Sequence, residues 1–332
     1  MVDFNENAPP VLPEIFTARD SDAGTRLDIF IAREKKVSRE RAKKLLQTAT
    51  IAGATVKSSH ILKAGEEIVL KVECPTSNSE QRAEKFHLPS PDFHLPIVYE
   101  DEHLIVVNKP RGLVVHDGAG EVGSTLVEIL RAQGKPLSGV GPNARAGIVH
   151  RLDKDTSGVM AICKTDVAHW KLAEEFAARR VQKEYSALVC GVPRSPGRVE
   201  APIDRHPKNR VKMVVSAGGK NAITEYRVTQ NWPRFALLEV RILTGRTHQI
   251  RVHLAYLNYP VVGDGVYGGL KRALENAPSE RIKSAIENLN GQALHAAHLA
   301  FLHPITNDKM SFYAPLPEEI NRIVAALDGA QV

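Results

Sequence analysis

From Ile97 onward, short runs of alternating apolar and polar residues, cut by Gly and Pro, dominate the chain. Leu238, Val240 and Ile242 fall on one face and Glu239 and Arg241 on the other, the period-two pattern of a half-buried strand. Val159 to Cys163 and the alternation of Tyr185, Ala187 and Val189 predict two further strands. Helical spacing is rarer. It predicts a helix from about Asp166 to Arg180 with Leu172 and Phe176 on one face. A second helix is expected after Ser279, where Ile282, Ile286 and Leu289 share a stripe. Many short strands with few long helices predict an α+β domain on a mixed, mainly antiparallel sheet with flanking helices.

The N-terminal part follows a different rhythm. Thr25 can cap a short helix carrying Leu27, Phe30 and Ile31, and Ser38 a second one carrying Ala42, Leu45 and Leu46. Ile68, Leu70 and Val72 then alternate like a strand, so this segment predicts a small α/β unit. A disordered leader is expected over residues 1–15, the small domain over 16–74, a linker rich in Pro, Ser and charge over 75–95, and the large domain over 96–327.

Composition narrows the class. With 332 residues, 43% hydrophobic and 25% charged, the chain can build its cores without staples and is neither fibrous nor disordered in composition. Cys74, Cys163 and Cys190 are odd in number, far apart and form no Cys-x-x-Cys pair, which argues against a disulfide framework and a cysteine zinc site. Asp3, Glu6, Pro9 and Pro10 stand where a signal peptide needs basic and then apolar residues, and no apolar run approaches membrane-spanning length. A cytoplasmic protein is expected. The net charge of +6 leans toward a polyanionic partner, since clustered Lys and Arg release counterions from phosphates.

The densest candidate chemistry lies in His150-Arg151-Leu152-Asp153-Lys154-Asp155-Thr156-Ser157-Gly158, between Gly147-Ile148-Val149 and the strand at Val159. On residues alone it reads either as a solvated turn or as a loop displaying working groups. Two histidine groups invite a metal: His295, His298 and His303, and the pair His248 and His253 around Arg251. No His-Glu-x-x-His pairing accompanies them, so no metal is expected.

The nonapeptide resembles the HRLDxxTSG signature of the RluA-type pseudouridine synthases. Lys109-Pro110-x-Gly112-Leu113-x-x-His116, Lys183-Glu184-Tyr185, Gly245-Arg246-Thr247-His248-Gln249-Ile250-Arg251-Val252-His253 and Leu294-His295-Ala296 resemble further motifs of that family, in the family's order. The resemblance implies a pseudouridine synthase catalytic domain in which Asp153 is the catalytic carboxylate, Arg251 its ion-pair partner and Tyr185 the aromatic against the flipped uracil. It also implies that Arg151 helps to fill the gap left by the flipped base, with His150 beside it as a substrate contact. Pro202-Ile203-Asp204-Arg205-His206-Pro207, Gly219-Lys220 and Thr224-x-Tyr226 are similar to the D-type members, which modify large-subunit rRNA. The implied partner is that rRNA or an assembling ribosomal particle, bound by a monomer. Turning uridine into pseudouridine changes no redox state and loses no group, so no cofactor is expected.

Thr25-Arg26-Leu27-Asp28 and the start of the second helix resemble an S4 RNA-binding domain, with Arg39, Arg41, Lys43 and Lys44 as a phosphate-binding face. The sequence departs from that pattern after Ile51, where Gly53-Ala54-Thr55 stands in place of Asn-Gly. In the large domain, residues 270–290 read as an added helical segment and Gly291 precedes Gln292 where many relatives carry arginine. A non-catalytic RNA-binding or ribosome-assembly factor and a metal-dependent phosphohydrolase are the rival readings.

Overall fold

The structure is a computed structural model that describes residues 12–34, 42, 46, 49–72, 95–116, 125–141, 145–209 and 211–330. It divides into two compact units, residues 1–86 and 87–332.

In the first unit, β1 (Leu12–Thr17), β2 (Ala49–Ile51), β3 (Ala54–Thr55) and β4 (Glu67–Val72) form an antiparallel sheet in the order β1-β4-β2-β3. Helix α1 (Leu27–Glu34) buries Leu27, Phe30 and Ile31 in a core shared with Ala42, Leu46, Ile68 and Leu70. It starts at Leu27, two residues after Thr25, and the Arg26 carbonyl accepts the Ile29 and Phe30 N–H groups, so Arg26 rather than Thr25 stands at the cap position. The β2–β3 hairpin turns on Ala52 and Gly53, with φ of 48° and 79°, the paired left-handed values of a two-residue type I′ turn. Ala54 and Thr55 therefore belong to the strand rather than to the turn. Arg39, Arg41, Lys43, Lys44 and the 75–94 stretch lie outside the described residues.

The second unit is built on a nine-stranded sheet. Its path is β5 (Ile97–Glu100), β6 (Leu104–Lys109), β7 (Ser157–Cys163), β14 (Leu294–Leu302), β8 (Gln182–Cys190), β13 (Phe235–Ile242), β12 (Ile223–Trp232) and β9 (Gly197–Glu200), with β15 (Lys309–Tyr313) pairing β14 off that path. The β7–β14 pairing is parallel and the others are antiparallel, so the sheet is mixed and mainly antiparallel. β10 (Ile203–Arg205) and β11 (Met213–Val215) form a separate hairpin.

Successive side chains of a strand point to opposite faces, and both faces are covered here. Ile105, Val107, Met160 and Ile162 enter the larger core, with α2 (Leu126–Ala132), α4 (Gln249–Tyr256), α5 (Gly269–Asn276), α6 (Glu280–Glu287) and α7 (Glu318–Asp328). Leu104, Val106, Val159 and Ala161 enter a second core under α3 (Asp166–Ala177). That is why β6 and β7 read as continuous apolar runs. Helix α3 ends at Ala177, short of Arg180, where Arg179 takes a left-handed φ of 60°. The helix expected after Ser279 forms with Ser279 accepting the Ile282 N–H as its cap, and Ile282, Ile286 and Leu289 are all in the core.

Candidate active site

The parallel crossing of β7 and β14 fixes the floor of the site. Gly158, at φ 117°, allows it: a Cβ there would stand 2.2 Å from the Ala296 carbonyl oxygen. Side chains tie the preceding loop from several directions. Leu152 is buried in the larger core, Gln292 Nε2 donates to Thr156 Oγ1 at 3.0 Å, and Ser157 Oγ lies 2.9 Å from His295 Nδ1. Lys109 Nζ donates to Lys154 O, Leu113 O and Pro110 O at 2.8–2.9 Å. Burial pushes this ammonium down to about 7, against the fields of Asp155 and Asp153. With the loop held at both ends, Asp153 projects from it into a cleft.

Arg251, in the first turn of α4, meets it there. Its Nη1 donates to Asp153 Oδ2 at 3.0 Å, while Nε and Nη2 donate to the two oxygens of Asp264 at 2.7 and 3.0 Å. Asp264 also accepts the N–H groups of Val266 and Tyr267. Burial works against the guanidinium charge, but the bonds and field of Asp264 and then of Asp153 hold it above its ordinary value. The Arg251 guanidinium stacks over Tyr267 at 5.2 Å. Gln249 anchors the start of α4 by bonding Thr244 Oγ1, Arg246 N, Ile223 O and Thr224 Oγ1.

His248 caps α4 with a left-handed φ of 55°. Its Nδ1 is 2.9 Å from the Tyr267 hydroxyl, which accepts the Met213 N–H at 2.8 Å, and its Nε2 is 3.9 Å from Asp153 Oδ2. Burial keeps it below the usual histidine range despite the neighbouring carboxylate.

The cleft has a volume of about 570 Å³, within the ~300–1,000 Å³ typical of ligand sites. Arg145, Arg151, Arg179, Lys183, Arg246 and Arg251 line it, and Asp153 is the sole carboxylate among its described lining residues. Tyr185 forms part of its wall from β8, with no hydrogen-bond partner for its hydroxyl among the described residues. Burial, and then the field of Asp153, push its phenol upward, so it stays neutral. Arg151 sits exposed on the rim without a hydrogen bond or ion pair among the described residues. His150 lies in the wall with less freedom than the sequence suggested. Its ring stacks on Phe176 at 4.6 Å and its Nε2 accepts the Ala161 N–H, and burial takes it down to about 3.

The structure thus brings Asp153, Arg251, Tyr185, Arg151 and His150 to one cleft, and adds Asp264, His248, Tyr267 and Lys109, which the sequence reading gave no site role. Gly263-Asp264-Gly265 reads as a plain turn in sequence, and only the pairing with Arg251 reveals its part. The remaining histidines are individually engaged: His253 with Thr224 and Ala201, His295 with Ser157 and Ala314, His298 with Glu184 and Ser311, and His303 with Asp101. Among the described residues no group of three or more His, Cys, Asp or Glu is arranged to hold a metal ion.

A single carboxylate, paired to a locked arginine in a cation-lined cleft beside a buried tyrosine, suits chemistry on a polyanionic substrate. Comparison with known proteins gives that class its family. Residues 103–256 match the family described as RNA pseudouridylate synthase. The chain is 40% identical over 93% of its length to the ribosomal large subunit pseudouridine synthase D of Xanthomonas campestris pv. campestris, covering 90% of that protein. It is 41% identical to the protein of that name from Vibrio cholerae, covering 94% of each. Among solved structures, human RNA pseudouridylate synthase domain containing 4 superposes with a TM-score of 0.55 at 27% identity, over 70% of this chain and 93% of that one. The chain belongs to the RluA-type pseudouridine synthase family. It is an RNA pseudouridine synthase, an isomerase.

Proposed function

We propose that the chain isomerises uridines of large-subunit rRNA in the cytoplasm, acting as a monomer with Asp153 as its catalytic carboxylate. The observation that carries the assignment is that the one carboxylate among the described lining residues of the cleft sits 3.0 Å from Arg251 Nη1. The ribosomal target rests on the similarity to the large-subunit enzymes.

The reaction breaks the bond between ribose C1′ and uracil N1, turns the base, and joins C1′ to C5; C5 loses its proton and N1 gains one. Asp153 can serve as nucleophile toward C6 or C1′, or can remove a ribose proton to assist cleavage, and each role needs the ionised carboxylate. A base filling the cleft would desolvate that charge, and Arg251 offsets the cost. Arg251 can do so without swinging away because Asp264 holds it from the other side. Tyr185, neutral and buried, offers the uracil a flat ring face. A uridine in structured RNA reaches the cleft only by leaving its stack, and Arg151, exposed on the rim and unpaired among the described residues, is suited to fill the vacated place.

Residues 16–74 serve as an S4-like RNA-binding domain joined through 75–95 to the catalytic domain, with Arg39, Arg41, Lys43 and Lys44 as its phosphate contacts. Deleting residues 1–80 should weaken rRNA binding and flatten its salt dependence, measured by filter retention from low to high salt. Unchanged affinity would remove that role.

The test of the whole reading uses the purified protein and unmodified large-subunit rRNA in chelator-containing buffer. Pseudouridine is mapped by chemical modification and primer extension. The wild type should yield product and Asp153→Ala none. Absence of product from the wild type, or equal product from both, overturns the reading.

A further inference from the structure

We propose that Trp170 is a stacking platform for a second base of the RNA, outside the nucleotide being isomerised. The inference rests on the cleft being the RNA site.

Helix α3 divides its faces between two tasks. Ala168 and Leu172 are buried in the second core, whereas Ala173, Phe176 and Ala177 line the cleft. Trp170 precedes Ala173 by three residues and Ala177 by seven, which places it on the cleft face, one turn beyond the wall. It is nevertheless 66% exposed, and Val167 beside it is 56% exposed. Its indole N–H has no hydrogen-bond partner among the described residues; its one ring contact is the edge of His169 at 6.4 Å. A large, flat apolar surface thus continues the wall of a cleft and packs against little of the fold.

The charges around it select the occupant. Five cations other than Arg251 line the cleft, namely Arg145, Arg151, Arg179, Lys183 and Arg246. Cations along a path with an exposed aromatic beside it are how single-stranded nucleic acid is held, since every base has a face to stack. The path is short. Asp166, four residues before Trp170, carries a carboxylate fixed by Ser138 and Gly139, and Glu174 is exposed on the next turn, so anionic groups bound the platform. One stacked base fits this stretch better than a longer strand.

Tryptophan emission reads this directly, because the other tryptophan, Trp232, is 2% exposed and bonded to Asp328. Full-length wild type and Trp170→Phe are titrated with an unmodified large-subunit rRNA transcript, binding is followed separately by filter retention, and product is measured on the same transcript. RNA-dependent quenching in the wild type that Trp170→Phe lacks is expected. Trp170→Ala should raise KM about tenfold with kcat within about twofold, and Trp170→Tyr should recover most of the loss. The Ala variant should keep the wild-type salt slope, since no cation is removed. RNA that is bound and isomerised without quenching, or an unchanged KM in Trp170→Ala, overturns the platform and leaves the reading of the cleft standing. Failure of the wild type to form pseudouridine overturns both.

Discussion

Arg251 lies between two aspartates that the fold treats differently. Asp264, with a fully buried side chain, accepts two bonds from the guanidinium and two from backbone N–H groups. Asp153, with its side chain 17% exposed, accepts one bond from Arg251, and its Oδ1 has no partner among the described residues. A carboxylate whose lone pairs are occupied is a clamp; one with lone pairs free and facing a cleft can react. The same residue type is therefore placed for two different jobs, and the loops decide the placement. Lys109, Gln292 and Gly158 hold the 150–158 loop so that Asp153 faces outward, whereas the turn at 263–267 closes its own N–H groups around Asp264.

The sharpest way to break this contrast is to remove the shared cation. Arg251→Met leaves Asp264 buried and unpaired, and should cost about 3–5 kcal/mol in urea unfolding together with a rate loss of about a hundredfold or more. Asp264→Asn keeps Arg251 but unlocks it. A stability loss of about 2–4 kcal/mol with a smaller rate loss and near-normal KM is expected, checked by unfolding and single-turnover kinetics. If Asp264→Asn were stable and fully active, the clamp would have no function.

Acid should act through the buried histidines. Burial holds His150, His253 and His295 below the ordinary histidine value of 6.5, His150 down to about 3. The unfolded chain then binds more protons than the folded one in that interval, so stability is full above about pH 6.5 and is lost as pH falls toward 3. Urea midpoints measured across pH 7 to 4 should decline steadily. The smallest expected effect lies far from both aspartates. Ala52, in a left-handed turn position, should accept Asn with a gain of about 0.5–1 kcal/mol in unfolding of the N-terminal unit, and with no change in isomerisation by the catalytic unit.

Much of the frame is legible in the chain. The alternation from Leu238 to Ile242, the apolar run of β7 and the helix after Ser279 each follow from local spacing, and each appears in the structure. What local spacing cannot express is partnership across the sheet. Asp264 is a turn residue until α4 brings Arg251 beside it, and Gly158 is a loop glycine until β14 passes within contact of it. The histidines make the same point. His295, His298 and His303 are close in sequence, but their ring nitrogens bond to different elements, the loop at Ser157, β8 and the loop at Asp101. Tyr185 serves both parts: its strand alternation places it in the larger core, and its ring also forms part of the cleft wall.

Whether Asp153 reacts while Asp264 only holds is decided by tritium release from [5-³H]uridine-labelled large-subunit rRNA under single-turnover conditions. The rate is measured for the wild type and for Asp153→Asn, with a thermal melt of each. Asp153→Asn should lose release by about a thousandfold or more while its melting midpoint stays within a few degrees and its rRNA affinity within about threefold. Release by Asp153→Asn at a rate near that of the wild type would contradict that division of roles.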